Sequence, residues 1–301
     1  MSFHVPVSFV KQFSANVTLL SQQRGTKLSD AVMQKPINGE EFFVDQIGAT
    51  APVQLKDRHG DSPIVSTPHM RRRGTISDWV WGDMIDKEDK IRMLIDPESD
   101  YVLNASYGMG RTKDDVIISA FDTTAMTGKA GTTAKTLPDS QKIATDLVTS
   151  GTHTSLTVPK LLEARRILAN NDVDLDDPFN KLYILCSPNE IAKLLNESEV
   201  KSIDYNTVKA LARGEINSYM GFEFKVLSTK RVLMASNGLD RRCIAWAKSG
   251  MVMGVGADVE ANVAKRSDKN FNWYAHLKMT IGAARLEEEK VVQILCADSD
   301  R

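Results

Sequence analysis

The sequence predicts an α+β fold, and three observations support this. A capped helix pattern starts at residues 96 and 97, a fully apolar strand pattern occupies residues 182 to 188, and strictly alternating segments lie near the end of the chain. Apolar residues three or four positions apart indicate a helix with one buried face, whereas alternation at every second residue indicates a strand. Helix and strand patterns in separate parts of one chain predict an α+β protein.

The first helix is predicted from residue 97 to about 122. Asp96 is a favourable N-cap, and Pro97 suits the first helical position. The apolar stripe of this helix consists of Tyr101, Ala105, Met109, Val116, Ala120 and Phe121. Gly108 and Gly110 weaken the middle of the helix by about 1 kcal/mol each relative to alanine.

A mixed sheet with helices is predicted for residues of about 155 to 247. A second helix begins near Thr157, and a third begins at Pro188. The apolar face of the second helix consists of Val158, Leu161, Leu162, Ile167 and Leu168, while Lys160, Glu163, Arg165 and Arg166 are predicted to face away. Between the two helices, the segment LYILCSP (182 to 188) has the pattern of a short, fully buried strand. A strand after a helix indicates a mixed sheet core.

Two long alternating segments predict antiparallel strands near the end of the chain. Apolar and polar residues alternate over 258 to 263 and over 272 to 281. A third strand pattern runs from Val291 to Cys296. The last 50 residues are therefore predicted to form a β-meander.

Composition and charge exclude several classes of protein. The 301 residues suggest one or two domains, and a content of 42% apolar and 26% charged residues rules out global disorder. Lys and Arg (38) nearly balance Asp and Glu (39), so no whole-chain positive field recruits nucleic acid or an anionic membrane. No apolar run has the roughly 18 residues of a membrane helix, and no signal peptide is recognisable, so a reducing cytoplasm is expected. Cys186, Cys243 and Cys296 are predicted to be buried thiols.

No motif for catalysis or metal binding is recognisable. The five histidines are scattered, and the chain has no Cys-x-x-Cys pair and no Walker A, dinucleotide-binding or Gly-x-Ser-x-Gly motif. The acidic run from Asp172 to Asp177 lacks the glycine and the glutamate that an EF-hand loop needs. We therefore expect no enzyme activity, no cofactor and no metal. A soluble hydrolase with a Ser, His and Asp that are distant in the sequence stays open as an alternative.

Two segments of the first half have no evident packing partner in a compact domain. Residues 1 to 46 contain short apolar pieces but no long periodic element, which we interpret as an arm that packs on something else. Residues 47 to 92 contain strand patterns at 53–56 and 75–81 around a tip rich in Gly, Pro and charge, which predicts a projecting hairpin. Mixed charge at this tip favours docking onto another protein; a solvated tip and a nucleic-acid patch are the alternatives. The residues predicted to make the contact are Lys56, Arg58, Arg71, Arg72, Arg73, Trp79 and Trp81.

Three segments carry a resemblance to a known family. They are TVPKLLEARRILANNDVDLDDPFNKLYILCSPNEIAKLLNESEVKSIDYN, ARGEINSYMGFEFKVLS and KNFNWYAHLKMTIGAARLEEEKVVQIL. They resemble the axial-domain core and the closing strands of the major capsid proteins of tailed bacteriophages, which share the Hong Kong ninety-seven-type phage capsid fold. The resemblance implies an N-terminal arm (1–46), an extended loop or hairpin (47–92), a peripheral domain with a spine helix (93–149), an axial domain (150–247) and return strands of the peripheral domain (248–301).

The same resemblance implies what the protein does. It implies a structural protein that self-assembles into hexamers and pentamers of an icosahedral shell, which encloses a double-stranded DNA phage genome. The implied location is the virion after assembly in the host cytoplasm, and the implied partners are copies of the chain, a portal, a decoration protein and DNA bound without sequence-specific contact. Since only about 50 residues precede the hairpin, a built-in scaffolding segment does not fit; a separate scaffolding protein is expected, and the alternative is that the chain is already the mature form. An encapsulin-like cellular nanocompartment with an enzyme cargo is the alternative for the same fold.

Overall fold

A computed structural model of the chain describes residues 22–54, 61, 64–85, 98–147, 153–196, 218–235 and 237–298. The chain divides into two compact units. The first unit takes the described residues within Met1–Thr26, Ser77–Lys113 and Gly256–Ile281, and the second takes those within Lys27–Ile76, Asp114–Val255 and Gly282–Arg301.

The part of the chain that the structure describes forms strands and three α-helices. The strands are β1 (Met33–Pro36), β2 (Glu41–Ile47), β3 (His69–Thr75), β4 (Ser77–Ile85), β5 (Ala125–Thr127), β6 (Thr133–Lys135), β7 (Lys142–Ile143), β8 (Leu182–Cys186), β9 (Ser218–Tyr219), β10 (Phe222–Val226), β11 (Asp240–Ala247), β12 (Met251–Arg266), β13 (Asn272–Arg285) and β14 (Val291–Ala297). The helices are α1 (Glu98–Asp122), α2 (Val158–Asn170) and α3 (Pro188–Asn196). All three predicted helices are confirmed. Among these described helices, none combines the length and the apolar character needed to cross a bilayer.

A six-stranded mixed sheet forms the centre of the second unit. Its strand order is β7-β14-β11-β8-β10-β9. Strand β8 is parallel to β10 and antiparallel to β11, and all of its residues are buried. A strand covered on both faces has a continuous apolar sequence, which explains why LYILC was recognisable. The predicted mixed sheet is thus confirmed, but β14 is a correction to the meander, because it pairs with β11 of this sheet.

One face of the six-stranded sheet is covered by α2 and α3. The buried face of α2 differs from the prediction at two positions, because Leu162 is half exposed and Lys160 is fully buried. The Lys160 ammonium donates to the carbonyl oxygens of Thr154 at 2.7 Å and Leu295 at 2.9 Å, which gives the buried charge polar partners. Burial lowers the pKa of Lys160. The three cysteines also lie in this region as buried thiols, as predicted.

The opposite face of the sheet packs against the end of α1 and against residues that precede β1. The Trp246 ring lies 4.7 Å from the Phe121 ring between centroids, and its indole nitrogen donates to the carbonyl oxygen of Ala31 at 2.9 Å. Leu28 and Ala31 are fully buried in the same cluster. The interpretation that the apolar residues of the arm pack on another molecule is therefore wrong for these two.

A buried carboxylate holds the chain at this point. Asp114 on α1 accepts hydrogen bonds from the backbone amides of Lys27 at 3.0 Å and Leu28 at 3.1 Å. These bonds satisfy a carboxylate that is fully buried. The second half of α1 therefore fixes the segment that leads into β1.

A second sheet of the same unit has the order β2-β3-β5-β6, and we call it the hairpin sheet. Strands β2 and β3 pair antiparallel, and beyond them the Gly48 amide donates to the Pro68 carbonyl at 2.8 Å. The strand pattern at 75–81 is found largely as β4, but the predicted hairpin is wrong, because β4 pairs with β13 while β3 pairs with β2. The pattern at 53–56 lies partly outside the described residues, and its described part, 53–54, belongs to no strand. Sequence reasoning missed β2 because its apolar run is short. Phe42 packs in a cluster with Ile37, Val252 and Leu286, and its ring fills the space that a Cβ would need at Gly74 opposite.

In the first unit, β4 pairs antiparallel with β13, from Ser77 opposite Ile281 to Ile85 opposite Trp273. The strands predicted from alternation over 258 to 263 and 272 to 281 are confirmed as β12 and β13.

Of the two glycines in the middle of α1, Gly110 has a packing role. A Cβ at Gly110 would lie 2.6 Å from the carbonyl carbon of Gly25, so glycine lets this segment approach the helix backbone. Arg111 also donates to the Gln22 side-chain oxygen at 2.6 Å. The helix is continuous at this position, and the glycine serves the approach of residues 22 to 25.

Candidate functional site

The three consecutive arginines lie in strand β3 and not at a hairpin tip. Alternation along the strand sends Arg71 and Arg73 to one face and Arg72 to the other. Arg71 pairs with Asp45 directly opposite on β2, with 2.5 Å between Nε and Oδ1, and Arg73 pairs with Glu41 at 3.6 Å. The hydrogen bond from Arg71 holds the pKa of the Asp45 carboxyl below its ordinary value. Both outer arginines thus already have an acidic partner in the chain.

Arg72 is buried and belongs to an ion network on the inner face of the hairpin sheet. Its Nη2 pairs with the fully buried carboxylate of Glu288, and its Nε donates to the Leu286 carbonyl at 2.6 Å. Glu288 also pairs with Lys135 at 2.8 Å and with Arg285 at 3.4 Å. We call Arg72, Lys135, Arg285 and Glu288 the buried ion network.

The network joins three parts of the second unit. Arg285 donates from Nη1 to the carbonyl oxygen of Phe121 at 2.6 Å, which connects β13 to the end of α1. Burial raises the pKa of Glu288, but the hydrogen bond from Lys135 and the charge of Arg72 outweigh it, so the pKa of this carboxyl lies below its ordinary value. Burial lowers the pKa of Arg285. Removal of one member would leave uncompensated buried charge, so the network fixes the base of the hairpin sheet.

The distal part of the hairpin sheet has a groove of about 640 Å³, which we call the hairpin groove. It is lined by Asp45, Ile47, His69, Met70, Arg71, Thr127, Gly128, Lys129 and Thr133. Ile47 is 72% exposed and Met70 is 51% exposed. The Arg71 guanidinium also lies 5.4 Å from the centre of the ring of Phe43, which is on β2. This end of the sheet therefore presents apolar side chains beside cations to solvent.

Trp79 and Trp81 lie on β4 in the first unit. Two positions apart on a strand, they share one face, as predicted. They line a groove of about 350 Å³ together with Val80, Asn104, Ala105, Gly108, Met109, Arg111 and Thr112. Trp79 remains 40% exposed. A half-exposed tryptophan in a groove is typical of a contact surface.

The predicted contact residues have different outcomes. Lys56 and Arg58 lie outside the described residues. Arg72 is a correction, because a side chain that is 2% exposed and paired with Glu288 cannot meet a neighbour. Arg71, Arg73, Trp79 and Trp81 stay predictions as contact residues.

Sequence reasoning missed Phe43, Ile47 and Glu288. The signal for the first two was the β2 pattern, in which they alternate with the buried Phe42 and the half-buried Val44 and Gln46. No local signal marked Glu288, whose partner Arg72 is 216 positions away. Within the described ranges, no group of three His, Cys, Asp or Glu side chains is arranged to hold a metal ion.

Several solved phage capsids have the same fold. The capsid protein of cyanophage P-SCSP1u is 16% identical, with a TM-score of 0.73 over 97% of this chain and 94% of that one. The capsid protein of Ralstonia phage GP4 is 10% identical, with a TM-score of 0.69 over 100% and 99% of the two chains. That of cyanophage Pam1 is 12% identical, with a TM-score of 0.69 over 98% of each. A search of curated proteins gives no match.

The fold is therefore that of a tailed-phage shell subunit, the Hong Kong ninety-seven type, and the resemblance drawn from the sequence is confirmed. The model of the phage capsid protein family matches residues 5–298, and the chain belongs to that family. It is a structural capsid protein that self-assembles into a shell and forms part of the virion. The nanocompartment alternative is not favoured.

Proposed function

We propose that this capsid protein forms hexamers and pentamers of an icosahedral shell around a double-stranded DNA genome, and that the hairpin sheet makes contacts between its subunits. The observation that carries this proposal is the contrast between the two faces of that sheet. The inner face is held by the buried ion network, while Ile47 remains exposed on the outer face.

An ordered apolar surface favours association for two reasons. Each contact removes apolar area from water at roughly 25 cal/mol per Å², and symmetric repetition multiplies a weak contact over a closed shell. The fixed base limits the conformational entropy that is lost when a neighbour docks. Arg71, Arg73, Trp79 and Trp81 supply charged and aromatic groups for such contacts, and Lys56 and Arg58 extend the prediction into the loop.

The further partners follow from this role. A separate scaffolding protein, a portal and a decoration protein join the shell, which assembles in the host cytoplasm. The net charge of −1 supports packaged DNA without tight or sequence-specific binding, because a strongly basic chain would hold many phosphates. Purified particles should protect double-stranded DNA from added nuclease. A protein cargo without DNA would contradict this part of the proposal.

The main experiment shortens the hairpin loop without touching β2 or β3. Because Gly48 and Pro68 are hydrogen-bonded to each other, a short turn can replace residues 49–67 and leave the ladder in place. We expect folded, soluble subunits that form no closed shells by negative-stain microscopy. The matched control is Leu162→Ser, which changes an exposed apolar residue on α2. Normal shells from the shortened variant would contradict the docking role of the hairpin.

A further inference from the structure

The structure contains an acidic loop that presents an exposed phenylalanine. We define the acidic loop as residues 172–180, between α2 and β8. Phe179 is 87% exposed, and Asp172, Asp174 and Asp176 are exposed around it. A large aromatic side chain in this position is an unusual use of apolar surface in a lone subunit, and aromatic residues are enriched at the centres of protein interfaces.

The acidic loop is held in one conformation by its own hydrogen bonds. The Asp174 carboxylate accepts from the Asp176 amide at 3.0 Å, and the Asp177 carboxylate accepts from the Phe179 amide at 2.9 Å. Asn180 follows and accepts from the Ser249 amide at 3.0 Å. Aspartate side chains that bond two residues ahead form stable turns. Phe179 is therefore presented on an ordered support, which lowers the entropy cost of binding.

The loop is also fixed to the core, while its charges remain unpaired in the subunit. Val173 is buried and Leu175 is partly buried in the cluster under α2. Asp172, Asp174, Asp176 and Asp177 have no ion pair with any described residue of the chain. The loop thus combines a preformed aromatic knob with negative charge that lacks a cation.

The hairpin groove has the complementary properties. The exposed Ile47 side chain gives it an apolar wall, and Lys129 and Arg71 place cations at its lining. Lys129 is exposed and has no ion pair among the described residues, so the lining keeps a net positive group after Arg71 is paired with Asp45. A volume of about 640 Å³ accommodates an aromatic side chain and its neighbours. No residue of the acidic loop lines the groove of its own chain.

We propose that the acidic loop of one subunit docks into the hairpin groove of the next copy of the chain, with Phe179 against Ile47 and the aspartates near Lys129. The proposal rests on the proposed function, since it assigns one contact of the shell. Such a contact joins two different surfaces and is therefore heterologous. Heterologous contacts generate rings when the rotation closes, which is the symmetry that hexamers and pentamers need.

Charge exchange tests the proposal in assembling full-length protein. Lys129→Glu and Asp176→Lys should each lower the yield of closed particles severalfold, because like charges would face each other. The double variant should return the yield to within about twofold of the wild type. Phe179→Ser should lower it at least about tenfold, whereas its circular dichroism and urea midpoint should match the wild type. Leu162→Ser is the matched control and should assemble normally.

Disulfide crosslinking tests the same contact independently of the particle yield. Subunits with Phe179→Cys are mixed with subunits with Ile47→Cys and oxidised mildly, and a disulfide-linked dimer is expected on a non-reducing gel. The pair Phe179→Cys and Leu162→Cys should give none.

Three results would overturn the proposal and leave the proposed function intact. They are normal particles from Phe179→Ser, no rescue in the charge exchange, and no crosslink in wild-type-like particles. A groove variant that fails to assemble while Phe179→Ser assembles would show that a different occupant fills the groove, and the proposal would also fall. Absence of any particle from the wild type would overturn the proposed function, and this contact with it.

Discussion

The two sheets of the second unit use apolar residues in opposite ways. The six-stranded sheet is covered on both faces, and Leu185 and Trp246 are completely buried in it. The hairpin sheet buries one face only and leaves Ile47 and Met70 exposed. The first sheet completes its packing within one chain. The second sheet is packed at its base but leaves apolar side chains exposed to solvent at its distal end. We therefore expect stability and assembly to be carried by different parts of the same unit.

The strongest test of this comparison removes the carboxylate at the base of the hairpin sheet. Glu288→Ala should lower the free energy of unfolding by about 3–5 kcal/mol, because Arg72 and Arg285 would remain buried without their partner. Urea unfolding followed by circular dichroism measures the loss. Glu289→Ala is the control; this neighbour is half exposed, and its removal should change stability by less than about 0.5 kcal/mol. Equal effects of the two would show that the network does not fix the hairpin sheet.

The second test compares one apolar residue from each sheet. Leu185→Ala should cost about 2–5 kcal/mol of folding free energy, because it opens a cavity at the centre of the six-stranded sheet. Ile47→Ala should cost less than about 0.5 kcal/mol, since this side chain is already mostly in water. Although Ile47→Ala should leave the subunit stable, it should clearly lower the yield of particles. A stable Ile47→Ala variant that assembles fully would contradict the expected role of the exposed end of the hairpin sheet in assembly.

Much of the six-stranded sheet was predictable, and the hairpin sheet was not. β8 has five consecutive apolar residues, and α2 and α3 have local start signals, so short windows of sequence were sufficient. β2 is recognisable only with knowledge that Phe42 packs on Val252 and Leu286, more than 200 positions away. An amphipathic pattern cannot report such partners.

Buried charges escaped prediction for the same reason. Lys160 was assigned to the exposed face of α2, but its ammonium is satisfied by carbonyl groups of residues 154 and 295. Arg72 was read as part of a surface run, yet its partner Glu288 lies at the other end of the chain. In the candidate site, residue types were thus predictable at the outer face, while the positions of the inner charges depended on tertiary contacts.

Lowering the pH should destabilise the hairpin sheet before it destabilises the six-stranded sheet. The pKa of Glu288 is lower in the folded protein than its ordinary value of 4.5, so the unfolded chain binds protons more readily. The contribution of this carboxyl is complete above about pH 4.5 and is lost as the pH falls through the folded value. Hydrogen exchange should therefore show amides of β3 losing protection at lower pH before those of β8. The Glu288→Gln variant should show the weaker β3 protection already at pH 6, with little further change in acid. Simultaneous loss in both sheets of the wild type would contradict this.

The smallest effect is expected on the outer face of the hairpin sheet. Arg71 and Asp45 form their ion pair in solvent, where screening and side-chain entropy offset the attraction. Arg71→Ala should leave the urea midpoint of the subunit unchanged within measurement error, whereas Arg72→Ala, one position further along the same strand, should lower it strongly because Glu288 would lose a buried partner. Any effect of Arg71→Ala should appear in shell formation and should weaken as salt is added, because under the proposed function this face meets charged groups of another subunit. A large fall in subunit stability from Arg71→Ala would mean that the outer face also holds the fold, and the division of labour between the two faces of β3 would fail.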